Sequence, residues 1–260
     1  MKLKSIIHPQ LEHLEIQEPI APITSVFDIY KEDDQLLLFK DYNFIGNYSV
    51  NNYHLLQGKF AMELLCSINE NNESDWLGTF HASTVKKNNK GIMLIGDSGS
   101  GKSTFTALMM SNGFNLVADD ISPILANDLK VYPYPAGVSI KSGAFKTLNT
   151  IIPDFKLLKE VYVNPYKGYV KYIPSRNTDY IKQGTDSNTL IHINYKPNSK
   201  TIIEPFDLNE ALQILIPESW LESSKTNAKR FMEWLKQLNC YKLTYSNYKE
   251  AINLVSELIE

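Results

Sequence analysis

The chain has 260 residues and a mass of 29.7 kDa, enough for one large α/β domain or one domain with a small lobe. Its net charge is 26 − 29 = −3, so no global basic field points to nucleic acid as a partner. Hydrophobic residues at 43% and charged residues at 21% are the values of an ordinary globular chain. No stretch approaches the ~18 apolar residues of a membrane span.

The N-terminus, Met1 to Pro9, carries two lysines but too short an apolar run for a signal peptide. Cys66 and Cys240 lie in apolar surroundings without C-x-x-C spacing and read as buried free thiols. Together these features lead us to expect a cytoplasmic protein with no membrane partner.

Residues 1–75 read as a small N-terminal lobe of α+β type. Ser25–Tyr30 and Gln35–Lys40 are strands joined by the turn Lys31–Asp34, and Tyr42–Val50 adds a third. His54–Asn69 has Leu55, Leu56, Phe60, Leu64 and Ile68 near helical spacing. The polar break Asn69–Asp75 then separates this lobe from a larger domain at 76–260. His8, His13 and His54 are too scattered to make a metal site.

The larger domain opens with the apolar stretch Trp76–Val85, which contains His81, and the lysine-rich hairpin tip Lys86–Lys90. The apolar run Gly91–Ile95 follows and ends in Gly96-Asp97-Ser98-Gly99-Ser100-Gly101-Lys102-Ser103-Thr104. This is a complete G-x-x-x-x-G-K-[ST] pattern from Gly96 to Ser103. Gly96, Gly99 and Gly101 permit a tight turn that aims backbone N–H groups at an anion. Phe105–Met110 reads as the helix behind it, whose N-terminus favours a phosphate. Lys102 reaches the outer phosphates and the Ser103 hydroxyl holds Mg²⁺. A nucleoside triphosphate, ATP first, is the expected partner.

Ser111-Asn112-Gly113 closes the helix, and Asn115–Ala118 is a strand that ends in Asp119 and Asp120. Adjacent Asp residues are common at turns. Just after a phosphate-loop helix they suit a second role: one carboxylate binds Mg²⁺ and the other accepts a proton from an incoming hydroxyl.

Gly96–Ser103, a short helix and Leu116–Asp120 together resemble the HPr kinase/phosphorylase catalytic domain, and more so the smaller HPr-kinase-related proteins. The ATP-dependent PEP carboxykinases share that nucleotide-binding architecture. The resemblance is strong over about residues 76–125 and weak through 133–145 and the C-terminal third. It implies an α/β fold with a mixed sheet. It also implies that His81 lies near the phosphates and the Asp pair, where a neutral imidazole accepts from a metal-bound water or orients Asp119. The related kinases have a Pro-x-Pro stretch leading to an apolar-Lys pair, which Lys141 matches here after Pro133 and Pro135. A lysine there neutralises charge on the transferring group, or else is a surface lysine. Two departures stand out. Thr104 occupies a position where HPr kinases usually have Glu, and the family's downstream Arg-Gly-rich signature has no counterpart.

Phe145–Ile152 reads as a short helix, and Val161–Val163 with Tyr169–Ile173 as a hairpin. Arg176, one of only two arginines, sits in the loop after it, where it either binds a phosphate or substrate carboxylate or forms an exposed salt bridge. Thr189–Tyr195 is a strand in which His192 is structural. Lys200–Pro205 is a further strand, and Asp207 caps the helix after it. Ala228–Leu238 is an amphipathic helix. Tyr241–Tyr245 is a strand, and Ser246 is expected to cap the last helix.

The expected activity is Mg²⁺-assisted transfer of a phosphoryl group from ATP to a hydroxyl on a protein, a peptide or a small serine-like metabolite. Lys102 and the loop hold the phosphates, Ser103 and Asp120 hold Mg²⁺, and Asp119 takes the proton with His81 nearby. The alternative is a module that binds or hydrolyses ATP as a switch and phosphorylates no acceptor. A homo-oligomer fits either reading.

Overall fold

The computed structural model describes residues 3–19, 21–164, 167–175, 183–217 and 219–259. The chain folds as two compact units, Met1–Glu73 and Ser74–Glu260.

The first unit contains helix α1 (Lys4–Leu11), strands β1 (Phe27–Glu32), β2 (Gln35–Lys40) and β3 (Asn43–Ser49), and helix α2 (Tyr53–Asn69). The strands form an antiparallel sheet in the order β1-β2-β3. Alternation along β2 buries Leu36 and Leu38 against Leu56 and Phe60 of α2 and Ile6 of α1. Helix α2 ends where Glu70 takes a left-handed conformation at φ 55°. Lys40 and Lys59 both reach Glu63 on α2, at 3.1 and 3.0 Å.

The second unit begins with β4 (Trp76–Phe80), β5 (Ser83–Lys87), β6 (Lys90–Ile95) and α3 (Lys102–Ser111). It continues with β7 (Asn115–Ala118), β8 (Ser122–Leu125), β9 (Val138–Lys141), α4 (Phe145–Ile151), β10 (Val161–Asn164) and β11 (Gly168–Ile173). It closes with β12 (Asp186–Tyr195), β13 (Ile202–Pro205), α5 (Leu208–Leu215), β14 (Trp220–Leu221), α6 (Lys225–Leu235), β15 (Asn239–Tyr245) and α7 (Tyr248–Glu257). This is an α/β architecture on a mixed six-stranded sheet ordered β13-β15-β12-β6-β5-β7. β6, β12 and β15 run parallel, while β13 and β5 are antiparallel to their neighbours.

Both faces of this sheet are covered, which is why β6 reads as an unbroken apolar run. Ile92 and Leu94 pack with Phe105, Leu108 and Met109 of α3 and with Ala251, Ile252 and Val255 of α7. Met93 and Ile95 face the other way, with Ala211 and Leu215 of α5 and Trp234 and Leu235 of α6. Each such side chain is worth roughly 1.5–3 kcal/mol against leaving it in water. Phe80 stacks on Trp234 at 5.0 Å and joins β4 to that second layer.

Two smaller sheets flank the large one, β10-β11-β9 and β14-β4-β8. Lys171 on β11 is buried at 5% exposure, its Nζ donating to the carbonyl of Lys156 at 3.2 Å and lying over the rings of Phe145 and Phe155. Asp207 caps α5 as expected, accepting from the amides of Asn209 and Glu210. The cap of α7 differs from expectation. Asn247 accepts from Lys249 and Glu250, while the Ser246 hydroxyl turns away and donates to the carbonyl of Ser199. No described helix is long and apolar enough to cross a membrane.

Candidate functional site

Three adjacent strands gather the site at one edge of the sheet. β5 is antiparallel to β6, and β7 is antiparallel to β5. The two reversals bring the ends of β6 and β7 to the same side, with the start of β5 between them. Three stretches therefore emerge together: the loop after Ile95, the Asp pair after Ala118, and Ser83.

The loop has the conformation its glycines permit. Gly96 sits at φ 149°, where an added Cβ would meet Ser100 Oγ at 2.7 Å and the carbonyl of Ile193 at 3.1 Å. Gly101, at φ 99°, turns the chain into α3, so Lys102, Ser103 and Thr104 form the first helical turn. The Ser100 amide bonds to the carbonyl of Asp97 at 3.0 Å. Among the described residues, the amides of Ser98, Gly99 and Gly101 donate to no acceptor in the protein. Donors held this way over a helix N-terminus form an anion cradle. Asp97, Ser98 and Gly99 are exposed. Lys102 is buried, and its ammonium folds back on the carbonyls of Gly96 and Asp97, at 2.5 and 3.4 Å.

Beneath the loop lies Asp119, at 2% exposure. Its Oδ1 accepts from the hydroxyl of Ser83 and from the hydroxyl of Ser103 at 3.2 Å. Its Oδ2 accepts from the amide of Ser139 on β9 at 3.0 Å. Burial, reinforced by the neighbouring Asp120, pushes its carboxyl up to about 7, against the pull of these three donors. Ser83 is itself fully buried, and its strand is tied down by the pair Thr84–Ser122 at 2.8 Å.

Asp120 takes a left-handed conformation at φ 63°, which turns its side chain toward Lys167, with Nζ 3.7 Å from Oδ2. The Ser103 hydroxyl, expected from the sequence to meet a metal together with Asp120, bonds the Asp119 carboxylate in the structure.

Lys141, at the end of β9, brings its Nζ within 3.3 Å of Ser98 Oγ in the loop. His81 lies in the connection between β4 and β5, its amide donating to Ser219 Oγ at 3.4 Å. Among the described residues, the donors to Asp119 are Ser83, Ser103 and the Ser139 amide, and the imidazole of His81 is not among them. Arg176 lies outside the described residues. His192 sits on β12 with its ring against Phe206 at 5.1 Å, and burial holds it below its ordinary value. Ser83, Ser139 and Lys167 were not singled out from the sequence. Ser139 contributes a backbone group, which no side-chain pattern encodes.

No protein-family model matches the chain, and no curated protein matches it. Among solved structures, the HPr(Ser) kinase/phosphatase from Coxiella burnetii matches with 13% identity over 70% of this chain and 93% of that one, at a TM-score of 0.29. Similarity this low does not bear on what the site does.

Proposed function

We propose that the second unit transfers the γ-phosphoryl group of ATP, with Mg²⁺, to a hydroxyl carried by a protein, a peptide or a small serine-like metabolite. The observation that carries this reading is the bond from Ser103 to Asp119. It joins the motif's last residue to a buried carboxylate whose proton affinity lies near neutrality. The motif from Gly96 to Ser103 and the resemblance of Gly96–Ser103 and Leu116–Asp120 to the HPr kinase catalytic domain support the same reading.

The loop amides and Lys102 hold the phosphates. For Lys102 this means leaving the carbonyls of Gly96 and Asp97 for a better, anionic partner. The oxygen donors of Ser103 and Asp120, with Asp119 behind Ser103, are the hard ligands Mg²⁺ prefers. When bound, the ion supplies charge neutralisation between the transferring group and the nucleotide. Ser103, its hydroxyl proton directed at Asp119, would offer its oxygen to such an ion, with Asp119 as its orienting partner.

Asp119 takes the proton of the acceptor hydroxyl as that oxygen attacks phosphorus. A base poised near working pH suits this task. Lys141, beside Ser98, offsets charge on the transferring group, a role the sequence reading extends to Arg176, which lies outside the described residues. His81, two residues before Ser83, stands by as a second polar group at the same edge.

The test follows labelled γ-phosphate from ATP with Mg²⁺, wild type beside Lys102→Ala, with free serine, a serine-containing peptide pool and HPr as separate acceptors. Label on one acceptor, lost in Lys102→Ala, is the expected result. Label released only as inorganic phosphate, or retained on ATP that is measurably bound, would replace the kinase by the nucleotide switch.

A further inference from the structure

The phosphate loop has two sides. On one, β5 and β7 bring Ser83 and Asp119 to the Ser103 hydroxyl. On the other lies β12, which pairs in parallel with β6 up to His192 opposite Ile95. Parallel neighbours leave a sheet at the same end, so the residues of β12 beyond His192, up to Tyr195, rise beside the loop.

Tyr195 is 54% exposed. It stands against Gly101, where the loop turns into α3: a Cβ placed on that glycine would lie 3.8 Å from Tyr195 Cβ and 3.6 Å from Tyr245 Oη. Tyr245 is the buried half of the pair. Its ring centre is 5.5 Å from that of Tyr195, inclined at 64°, and 5.0 Å from that of Phe105 on α3. The backbone here is anchored. Tyr195 pairs with Tyr245 in the parallel ladder of β12 and β15, and the Lys196 amide donates to the carbonyl of Tyr245 at 2.9 Å. The carbonyl of Lys196 in turn accepts from the amide and the hydroxyl of Ser199, at 3.2 and 2.8 Å. An aromatic ring fixed at its root, with part of its surface left to water, is a stacking surface with little ordering still to lose.

A nucleoside triphosphate carries its reacting phosphate at one end and a flat aromatic base at the other. With the γ-phosphate directed at Asp119, the base points away from β5 and β7. β12 lies on that far side, two strand spacings or about 10 Å from β5. There Tyr195 presents its ring beside the turn that holds the phosphates.

We infer that Tyr195 is a further binding residue, the platform on which the base of the nucleotide stacks. The inference rests on the reading of the loop as a triphosphate site whose reacting end is at Asp119. Stacking uses the face of the base and not its hydrogen-bonding edge, so the ring of Tyr195 carries the contact and its hydroxyl does not.

The test titrates the full chain by calorimetry, in Mg²⁺, with a non-hydrolysable ATP analogue and with inorganic tripolyphosphate, which has the phosphates and no base. Wild type is compared with Tyr195→Ala, Tyr195→Phe and Lys102→Ala. Tyr195→Ala should bind the analogue about tenfold more weakly, the scale of one base stacked on one ring, and tripolyphosphate as wild type does. Tyr195→Phe keeps the ring and should match wild type with both ligands, while Lys102→Ala should weaken both. Equal weakening of both ligands in Tyr195→Ala would mean that Tyr195 only supports the turn at Gly101, and wild-type affinity for the analogue would mean that the base lies elsewhere. Either result overturns the platform and leaves the reading of the loop standing. A Tyr195→Phe variant as weak as Tyr195→Ala would give the contact to the hydroxyl and overturn stacking. If wild type binds neither ligand, or if Lys102→Ala binds both as well as wild type does, the reading of the loop falls and the platform falls with it.

Discussion

The phosphate loop and the Asp119 pocket lie side by side, yet they are built in opposite ways. The loop is contiguous, from Gly96 to Ser103, partly exposed, and made of backbone amides whose positions follow from glycine conformations. The pocket is buried and assembled from four separate places: Ser83 on β5, Ser103 on α3, Ser139 on β9 and the end of β7. The loop gains its charge preference from dipoles that exist before any ligand arrives. The pocket holds a carboxyl whose charge is disfavoured by burial and by Asp120. In the proposed mechanism this is a division of labour: the first region would bind an anion and the second would manage a proton, so each is expected to break without the other.

The largest effect is expected in the loop. Lys102→Ala should weaken nucleotide binding by about tenfold or more, since a desolvated cation facing phosphate is lost, and should stop turnover. Calorimetric titration with a non-hydrolysable ATP analogue measures it, and unchanged affinity would break the assignment of the loop. Gly96→Ala belongs to the same class, since its Cβ would press on Ser100 Oγ and the carbonyl of Ile193.

A smaller effect is expected from Ser83→Ala. The Ser83 hydroxyl lowers the proton affinity of Asp119, so its loss should raise that affinity further. The acid limb of kcat/KM, expected near pH 7 in the wild type, should move to higher pH, with activity at neutral pH falling by about tenfold. Nucleotide affinity should stay the same. An unmoved limb would detach Ser83 from the proton chemistry.

The smallest effect concerns stability. Asp119 has an ordinary value of 3.8 and is pushed up to about 7 in the fold. A carboxyl raised in this way contributes stability below pH 3.8 and loses that contribution as pH rises to about 7. Above that, its buried charge is a cost. Asp119→Asn, which stays neutral, should therefore raise Tm at pH 8 by about 2–4 °C, the equivalent of ~1 kcal/mol in a chain of this size. The gain should vanish at pH 4, where Asp119 is protonated in the fold. A gain of equal size at both values, followed by differential scanning calorimetry, would mean that packing rather than charge is at work.

The same contrast decides how far the site was legible from the sequence. Gly96–Ser103 and the strand ending in Asp119 and Asp120 stand out because their spacing is local and chemically required. Several elements around them, α4, β11, β12, β13 and β15 among them, were legible from apolar periodicity to within a few residues at their ends, whereas Trp76–Val85 read as one apolar stretch and not as β4 and β5. β14 was not, because two residues, Trp220 and Leu221, carry no period. Ser246 and Asn247 are both good cap residues in adjacent positions, and the choice went to Asn247 because Ser199 claims the serine hydroxyl. Ser83 looks no different in sequence from Thr84 or Ser122, and only the order β6-β5-β7 places it on Asp119. The resemblance implies His81 as a neighbour of Asp119; in the fold the Ser83 hydroxyl, two residues on, bonds the carboxylate. The left-handed conformation of Asp120 is likewise a feature that the sequence alone does not mark.

The most direct measurement of the central claim pairs two readouts on one variant, Asp119→Asn. Phosphoryl transfer to the acceptor identified with the wild type is followed beside the affinity for the ATP analogue. A base beneath an intact loop predicts that turnover falls by at least about 10²-fold while nucleotide affinity changes by less than about threefold. Turnover that persists near the wild-type level in Asp119→Asn would show that the buried carboxyl takes no proton from the acceptor, and would contradict the account.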